Sequence, residues 1–374
     1  MKSIKKQNVL IAADYSSGCS GNFIASLVEL LNAMTALNRK VVFVFPKNEN
    51  TTSPTSWVKW LEREGGTVCL LDKSMDDDTQ LAFLNKLITD NSIGILHLHF
   101  GMFQSLIMRY RKEIPVKIIL HEHMSYPMGC NRFKQTIHYL ARSVLFRMKK
   151  IMFVSVSKRM YNAHLFCKRF YIPNGLSMKR NLKKSLSRDE LRKKLSISDD
   201  EKIVLLLGWA YRLKGLDIAA SAVSECRKRG HNIILGTIGV DLSDENVERF
   251  LLKETGISTQ EKWIRSLPGG EDMFSYHRAI DVYLSASRSE AFSYGILETI
   301  SQNTPVVLSD IIDTRWCIKY SKAFSYPVEN YQKCADAIEK AIKAGRKESN
   351  YKDIIEEFSI GNWCERVIDV YNNV

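Results

Sequence analysis

Several residues in this sequence have the types and spacing to do chemistry, and the densest group lies in block 281–310, DVYLSASRSEAFSYGILETISQNTPVVLSD. A Val-rich strand at 282–285 opens there into a polar loop holding Glu290. A helix then starts near Tyr294, carries Glu298 about one turn in, and stops at Asn303-Thr304-Pro305. Such a strand–loop–helix turn can aim both carboxylates at one place, where each accepts two charge-assisted hydrogen bonds from sugar hydroxyls. The amides of Phe292, Ser293 and Tyr294 open the helix, and free N–H groups at a helix start favour phosphate. Spacing alone selects nothing. Glu348/Glu356 and Glu357/Glu365 repeat it in a Lys-rich stretch with no strand behind it, and there a carboxylate is an ordinary solvated helix residue.

Lys214 closes the segment 208–217, GWAYRLKGLD, which follows another strand. A cation at a helix start opposes the dipole, so a bound anion explains its placement. Residues 16–22, SSGCSGN, with Gly18 and Gly21, form a glycine loop after the first strand; this is neither GxGxxG nor a Walker loop. His97 and His99 end one strand, and His121 and His123 end the next. Such pairs are satisfied structural groups or metal ligands. With no Cys beside them and no zinc-type spacing, the expectation is that they hold no metal.

The elements positioning these residues are short Val/Ile-rich runs alternating with helical patterns. Strands are predicted at 9–13, 41–45, 67–71, 93–97, 116–121 and 151–155, then at 202–207, 232–238, 263–267, 282–285 and 306–309. Phe23, Leu27, Leu30, Leu31, Met34 and Leu37 mark a helix of period 3.6 between the first two. Repeated β-α order implies parallel sheets with helices on both faces. At 374 residues, two such domains are expected: 1–176, a basic linker at 177–200, 201–355, and a final helical segment at 356–374 packing back on the first domain. Sheets of this kind bind ligands at the carboxyl ends of their strands, so a cleft between the domains is the expected site.

The net charge of +13 is concentrated. Residues 131–194 hold 18 Lys or Arg against Asp189 and Glu190, leaving 36 basic and 39 acidic residues elsewhere. A solvated face and polar linker accounts for this equally well as attraction to anionic lipid headgroups; nucleic acid is a third reading. The N-terminus reads as a first strand rather than a signal peptide. No apolar run reaches the ~18 residues of a membrane helix. The eight cysteines are scattered, as free thiols in a reducing cytoplasm would be. A cytoplasmic location, peripheral at the inner face of the membrane where the basic segment meets lipid, is the expectation.

The 287–310 block resembles the E-x7-E segment of retaining glycosyltransferases of family four, which have the GT-B fold: α/β, two tandem Rossmann-like doubly wound parallel-sheet domains facing a central cleft. The resemblance implies that Glu298 holds the donor ribose, and that Glu290 with Phe292, Ser293, Tyr294 and Gly295 meets the sugar and phosphates. The family's E-G-F-G is E-A-F-S here, with small Ala291 and Ser293. Lys214-Gly215 fits the family's G-R-x-x-x-x-K-G, in which Arg and Lys grip the diphosphate. Trp209 occupies the Arg position, leaving Arg212 as a candidate replacement. The 16–22 loop resembles the family's loop over donor phosphate and acceptor. The family's histidine near the reacting sugar aligns with His123, or with His121 if the loop is shifted.

The implied activity is transfer of a hexose-type sugar from a nucleoside-diphosphate sugar to a glycan or lipid-linked acceptor. It would need no metal or other cofactor, and bacterial surface-polysaccharide assembly is the implied setting. The rivals are another enzyme on this fold, such as a sugar-nucleotide epimerase or a phosphorylase, and a nicotinamide dehydrogenase, disfavoured by the missing GxGxxG. A non-catalytic module binding membrane or nucleic acid through 131–194 is a further rival. No nucleic-acid motif is present, so no nucleic-acid partner is expected.

Overall fold

The computed structural model describes residues 7–47, 55–125, 132–179, 185–320, 323–346, 353 and 356–373. Contacts divide the chain into two units, one of residues 1–181 with 358–374, the other of residues 182–357.

The first unit holds strands β1 (Asn8–Ala13), β2 (Val41–Pro46), β3 (Thr67–Leu71), β4 (Ile93–His99), β5 (Lys117–Glu122), β6 (Ile151–Ser155) and β7 (Arg169–Tyr171). They form one parallel sheet of order β3-β2-β1-β4-β5-β6-β7. β1 and β2 are apolar and buried almost throughout, as strands covered on both faces must be. The helix Gly21–Ala36 buries Phe23, Leu27, Leu30, Leu31 and Met34, the predicted stripe. Leu37, read as part of that stripe, is instead its exposed C-cap.

The second unit holds β8 (Lys202–Leu207), β9 (Ile233–Ile238), β10 (Ile264–Ser266), β11 (Val282–Ser285), β12 (Val306–Ser309) and β13 (Ala323–Tyr326) in order β10-β9-β8-β11-β12-β13. Its core gathers Val204, Leu206, Leu235 and Leu284 from the strands with Leu216, Val223 and Ile338 from the helices. β7 and β13 are additions to the predicted strands. Both are short edge strands, three and four residues long and only partly buried, so neither shows a long apolar run.

Part of the predicted linker is structured. Arg188–Lys194 is a helix of the second unit, opened by a full capping box between Ser187 and Glu190. The S-x-x-E spacing is its sequence signal. Arg188 and Arg192 pair with Asp281 at the start of β11. Residues 180–184 of that stretch lie outside the described residues. The last helix, Ile360–Asn372, belongs to the first unit; Arg39 donates to Asn372 there and His97 meets Tyr371. Among the described residues no helix is long and apolar enough to cross a membrane. The seven cysteines described are free thiols; Cys130 lies outside the described residues.

Candidate functional site

In the second unit the chain runs β8 to β9 to β10 outward, then returns to lay β11 on the other side of β8. Strand order reverses between β8 and β11, where such sheets form ligand sites. The loops leaving these two strands carry Lys214 and Glu290. Lys214 Nζ lies 2.6 Å from Glu290 Oε1, and the Ser287 hydroxyl donates to the same oxygen at 2.6 Å. Gly215 makes the contact possible. It ends the helical turn Tyr211–Lys214 with φ +72°, and a Cβ there would lie 2.3 Å from the Ala286 carbonyl oxygen. Any side chain would push the two loops apart.

Glu298 lies in the helix Tyr294–Ser301, whose N-cap Ser293 accepts from the Ile296 amide. It is 6% exposed, so it is no ordinary surface residue. The wholly buried His277 meets it, with Nε2 3.3 Å from Glu298 Oε2 and Nδ1 2.7 Å from the Thr299 hydroxyl. Gly295 packs against Tyr283, where a Cβ would stand 2.4 Å from the phenol oxygen. Burial, and then the charge of Glu290, pushes the Tyr283 phenol up, with Glu298 adding to the effect. One neutral phenol therefore feels both carboxylates. Phe292 stacks on Trp316 with ring centroids 4.6 Å apart.

Arg212 places its guanidinium 4.4 Å from the Phe250 ring centroid, and Trp209 is 83% exposed. The arginine that ties these loops together is Arg288. It grips Asp217 through both terminal nitrogens at 3.0 and 2.6 Å, reaches Glu329 at 2.9 Å, and donates to the Arg212 carbonyl. Its hydrogen bonds to Asp217 push its pKa up. Ser287, Arg288, Asp217, His277, Thr299 and Tyr283 are the additions to the site read from sequence. Ser287, Arg288 and Tyr283 lie inside the 281–310 block and Asp217 inside 208–217, whereas nothing in the spacing of His277 marks it.

The first unit reverses strand order between β1 and β4. The loop after β1 is held by aromatics: the Tyr15 hydroxyl donates toward the carbonyls of Cys19 and Ser20, and Trp57 donates to the Ser17 carbonyl at 2.8 Å. Gly18 lies in this loop, and Gly21 is the first residue of the following helix. On the neighbouring strands His99 stands opposite His121. His99 Nδ1 lies 2.8 Å from His123 Nε2, and the Phe100 ring packs tilted against the His123 ring with centroids 4.4 Å apart. Burial pushes His97 and His123 down to about 3, and His99 and His121 well below the usual range. Beside them an open pocket of about 650 Å³ is lined by Phe100, Gln104, Met108, Glu122, Met124 and Arg142. Glu122 and Arg142 pair across it at 3.2 Å.

Two parallel sheets with flanking helices, of six and seven strands, give the chain the GT-B fold of glycosyltransferases. It superposes on Anabaena Alr3699/HepE, solved with UDP and glucose, with a TM-score of 0.75 at 14% identity, covering 98% of this chain and 100% of that one. A glycosyltransferase from Rickettsia africae gives 0.73 at 15% identity and 98% of both chains. Sucrose-phosphate synthase from Thermosynechococcus elongatus gives 0.70 at 14% identity, covering 98% and 99%.

Residues 187–358, which make up most of the second unit, match the family model of glycosyl transferases group 1. The resemblance drawn from the 287–310 block is thereby borne out. An uncharacterized glycosyltransferase of Methanocaldococcus jannaschii, MJ1607, is 25% identical over 187 residues, 48% of this chain. The match spans about half the length of that curated relative (47%).

Proposed function

We propose that this protein is a retaining glycosyltransferase that moves a hexose from a nucleoside-diphosphate sugar to a glycan or lipid-linked acceptor in surface-polysaccharide assembly. The observation that carries this reading is the Lys214–Glu290 contact at the β8/β11 reversal, within the group 1 domain. Lys214 supplies the cation for the donor diphosphate, joined by the amides that open the Tyr294–Ser301 helix through Ser293, Tyr294 and Gly295. Together they stabilise charge on the departing nucleoside diphosphate, the term that usually contributes most in such reactions. Glu298, fixed by His277, accepts from the ribose hydroxyls. Glu290 and Phe292 face the sugar, and Arg212 is a second cation for the diphosphate. UDP is the first nucleotide to test, since HepE was solved with it.

The Gly18–Gly21 loop of the first unit covers donor phosphate and acceptor, and His123 orients the reacting sugar. A histidine held neutral down to about 3 accepts or donates a hydrogen bond but carries no charge as a strong acid would. In the front-face reaction the donor phosphate itself takes the acceptor proton, and no metal takes part in the step. The acceptor enters through the open pocket beside Phe100 and Met124. Next to it the helix Arg132–Met148 exposes Phe133, Ile137, Val144, Leu145 and Met148 among Lys134 and Arg147. That mixture suits an anionic membrane surface at the inner face of a cytoplasmic membrane, where each basic group contributes about 1 kcal/mol.

The reading is tested by assaying nucleoside diphosphate release from UDP-sugars with and without acceptor. Release that depends on the acceptor supports transfer; conversion of the donor without acceptor points to the epimerase reading instead. Glu290→Ala, Glu298→Ala and Lys214→Ala should each cut transfer at least about tenfold in folded protein. Near-wild-type rates in all three would remove the site.

A further inference from the structure

We propose that His97, His99 and His121 of the first unit bind a late first-row transition-metal ion of the zinc and copper class. The register of β4 on β5 sets His99 opposite His121. Side chains alternate along a strand, so His97, two residues before His99, shares its face. One nitrogen from each of the three rings lies within 4.8 Å of the others, and His97 Nε2 is 3.2 Å from His121 Nδ1. Bonds of about 2.0–2.1 Å to a tetrahedral ion put its ligand nitrogens roughly 3.3 Å apart, so binding draws the rings closer than the 4.8 Å limit by rotation.

The hydrogen bonds leave lone pairs over. A neutral imidazole has one N–H and one lone pair. His97 Nδ1 meets the Tyr371 hydroxyl at 2.7 Å and His99 Nδ1 meets His123 Nε2 at 2.8 Å. The Nε2 atoms of His99 and His121 are buried and have no partner. Protons on the Nδ1 atoms keep both of those bonds and leave the Nε2 lone pairs bare. A buried polar group left without a partner is costly, and a metal ion turns that cost into ligand bonds. His97 Nε2 exchanges its contact with His121 for the ion, while its Nδ1–H stays on Tyr371 and that of His99 stays on His123. Metal-bound histidines keep such an outer hydrogen bond. Burial also holds the three rings in the neutral form that ligates.

Imidazole nitrogens suit zinc, copper and nickel, whereas magnesium and calcium require oxygen donors. The sequence gives the opposite expectation because two H-x-H pairs, 24 residues apart, match no zinc motif until the strands pair. None of the three rings belongs to the second unit, so the inference does not rest on the proposed donor site. The ion fixes His99 and, through it, His123.

The test uses the full chain without a polyhistidine tag, stripped with chelator and titrated separately with Zn²⁺, Cu⁺, Co²⁺ and Mg²⁺. We expect about one equivalent of zinc per chain to survive desalting, Co²⁺ to give the visible bands of a tetrahedral nitrogen site, and Mg²⁺ not to bind. His99→Gln and His121→Gln, checked for folding by circular dichroism, should weaken zinc retention at least about tenfold. The exposed His231→Gln should leave it unchanged. Wild-type protein that retains none of the zinc, copper or cobalt ions overturns the proposal whatever the variants do. Zinc retained equally by the folded His99 and His121 variants overturns it as well.

Discussion

Each unit reverses its strand order at one point, between β1 and β4 in the first and between β8 and β11 in the second, and the two reversals are furnished differently. The second is lined with charged side chains held by partners: Lys214 on Glu290, Arg288 on Asp217, and Glu298 against the His277 ring. The first gathers four neutral imidazoles among Phe23, Phe100 and Tyr371, flanked by the Asp14–Lys73 and Glu122–Arg142 ion pairs. The same topology thus presents a cluster of neutral rings in one unit and clustered charged side chains in the other. A charged diphosphate requires countercharges held in place before it arrives. A neutral hydroxyl can be oriented by a group that hydrogen-bonds without carrying charge, and burial keeps His123 in that form. This division matches the proposed donor role of the second unit and acceptor role of the first.

If the contrast is real, the two units should fail for different reasons. The largest effect is expected from Arg288→Ala. It leaves Asp217 buried and unpaired and frees the Arg212 carbonyl, at a cost of about 3 kcal/mol. Hydrogen exchange should show the loss in the second unit alone, and equal loss in both units would erase the distinction. Acid should act on the first unit. Histidines held at about 3 when folded and about 6.5 when unfolded bind fewer protons in the native state. Their contribution is therefore fully present above pH 6.5 and is lost progressively as the pH falls from there toward 3. For His97 alone the cost at pH 5 is on the order of 2 kcal/mol. Thermal melts from pH 8 to pH 5 should show the first unit weakening first, and His97→Phe should reduce that dependence. The smallest effect belongs to Trp209→Ala. With the ring 83% exposed, stability should change by less than about 0.5 kcal/mol, so any change in donor affinity reports on the site directly.

The same contrast explains what was legible in the sequence. Glu290, Glu298 and Lys214 follow strands inside two compact blocks, so local order reveals them. Buried apolar runs disclose most strands for the same reason. The partners are less visible. His277 meets Glu298 and Thr299 across an intervening strand, and Arg288 finds Asp217 across two loops. Residue types at those positions imply no pairing until the sheet is built. The four histidines illustrate the limit most clearly: each pair is plain in the sequence, but their common face depends on the register of β4 against β5.

The most direct test of the central claim is a calorimetric titration of UDP and UDP-sugars into wild-type protein and into the Lys214→Ala and Glu298→Ala variants. Saturable binding by the wild type, weakened at least about tenfold by each substitution in folded protein, is the predicted result. Equal affinity in all three proteins would contradict it.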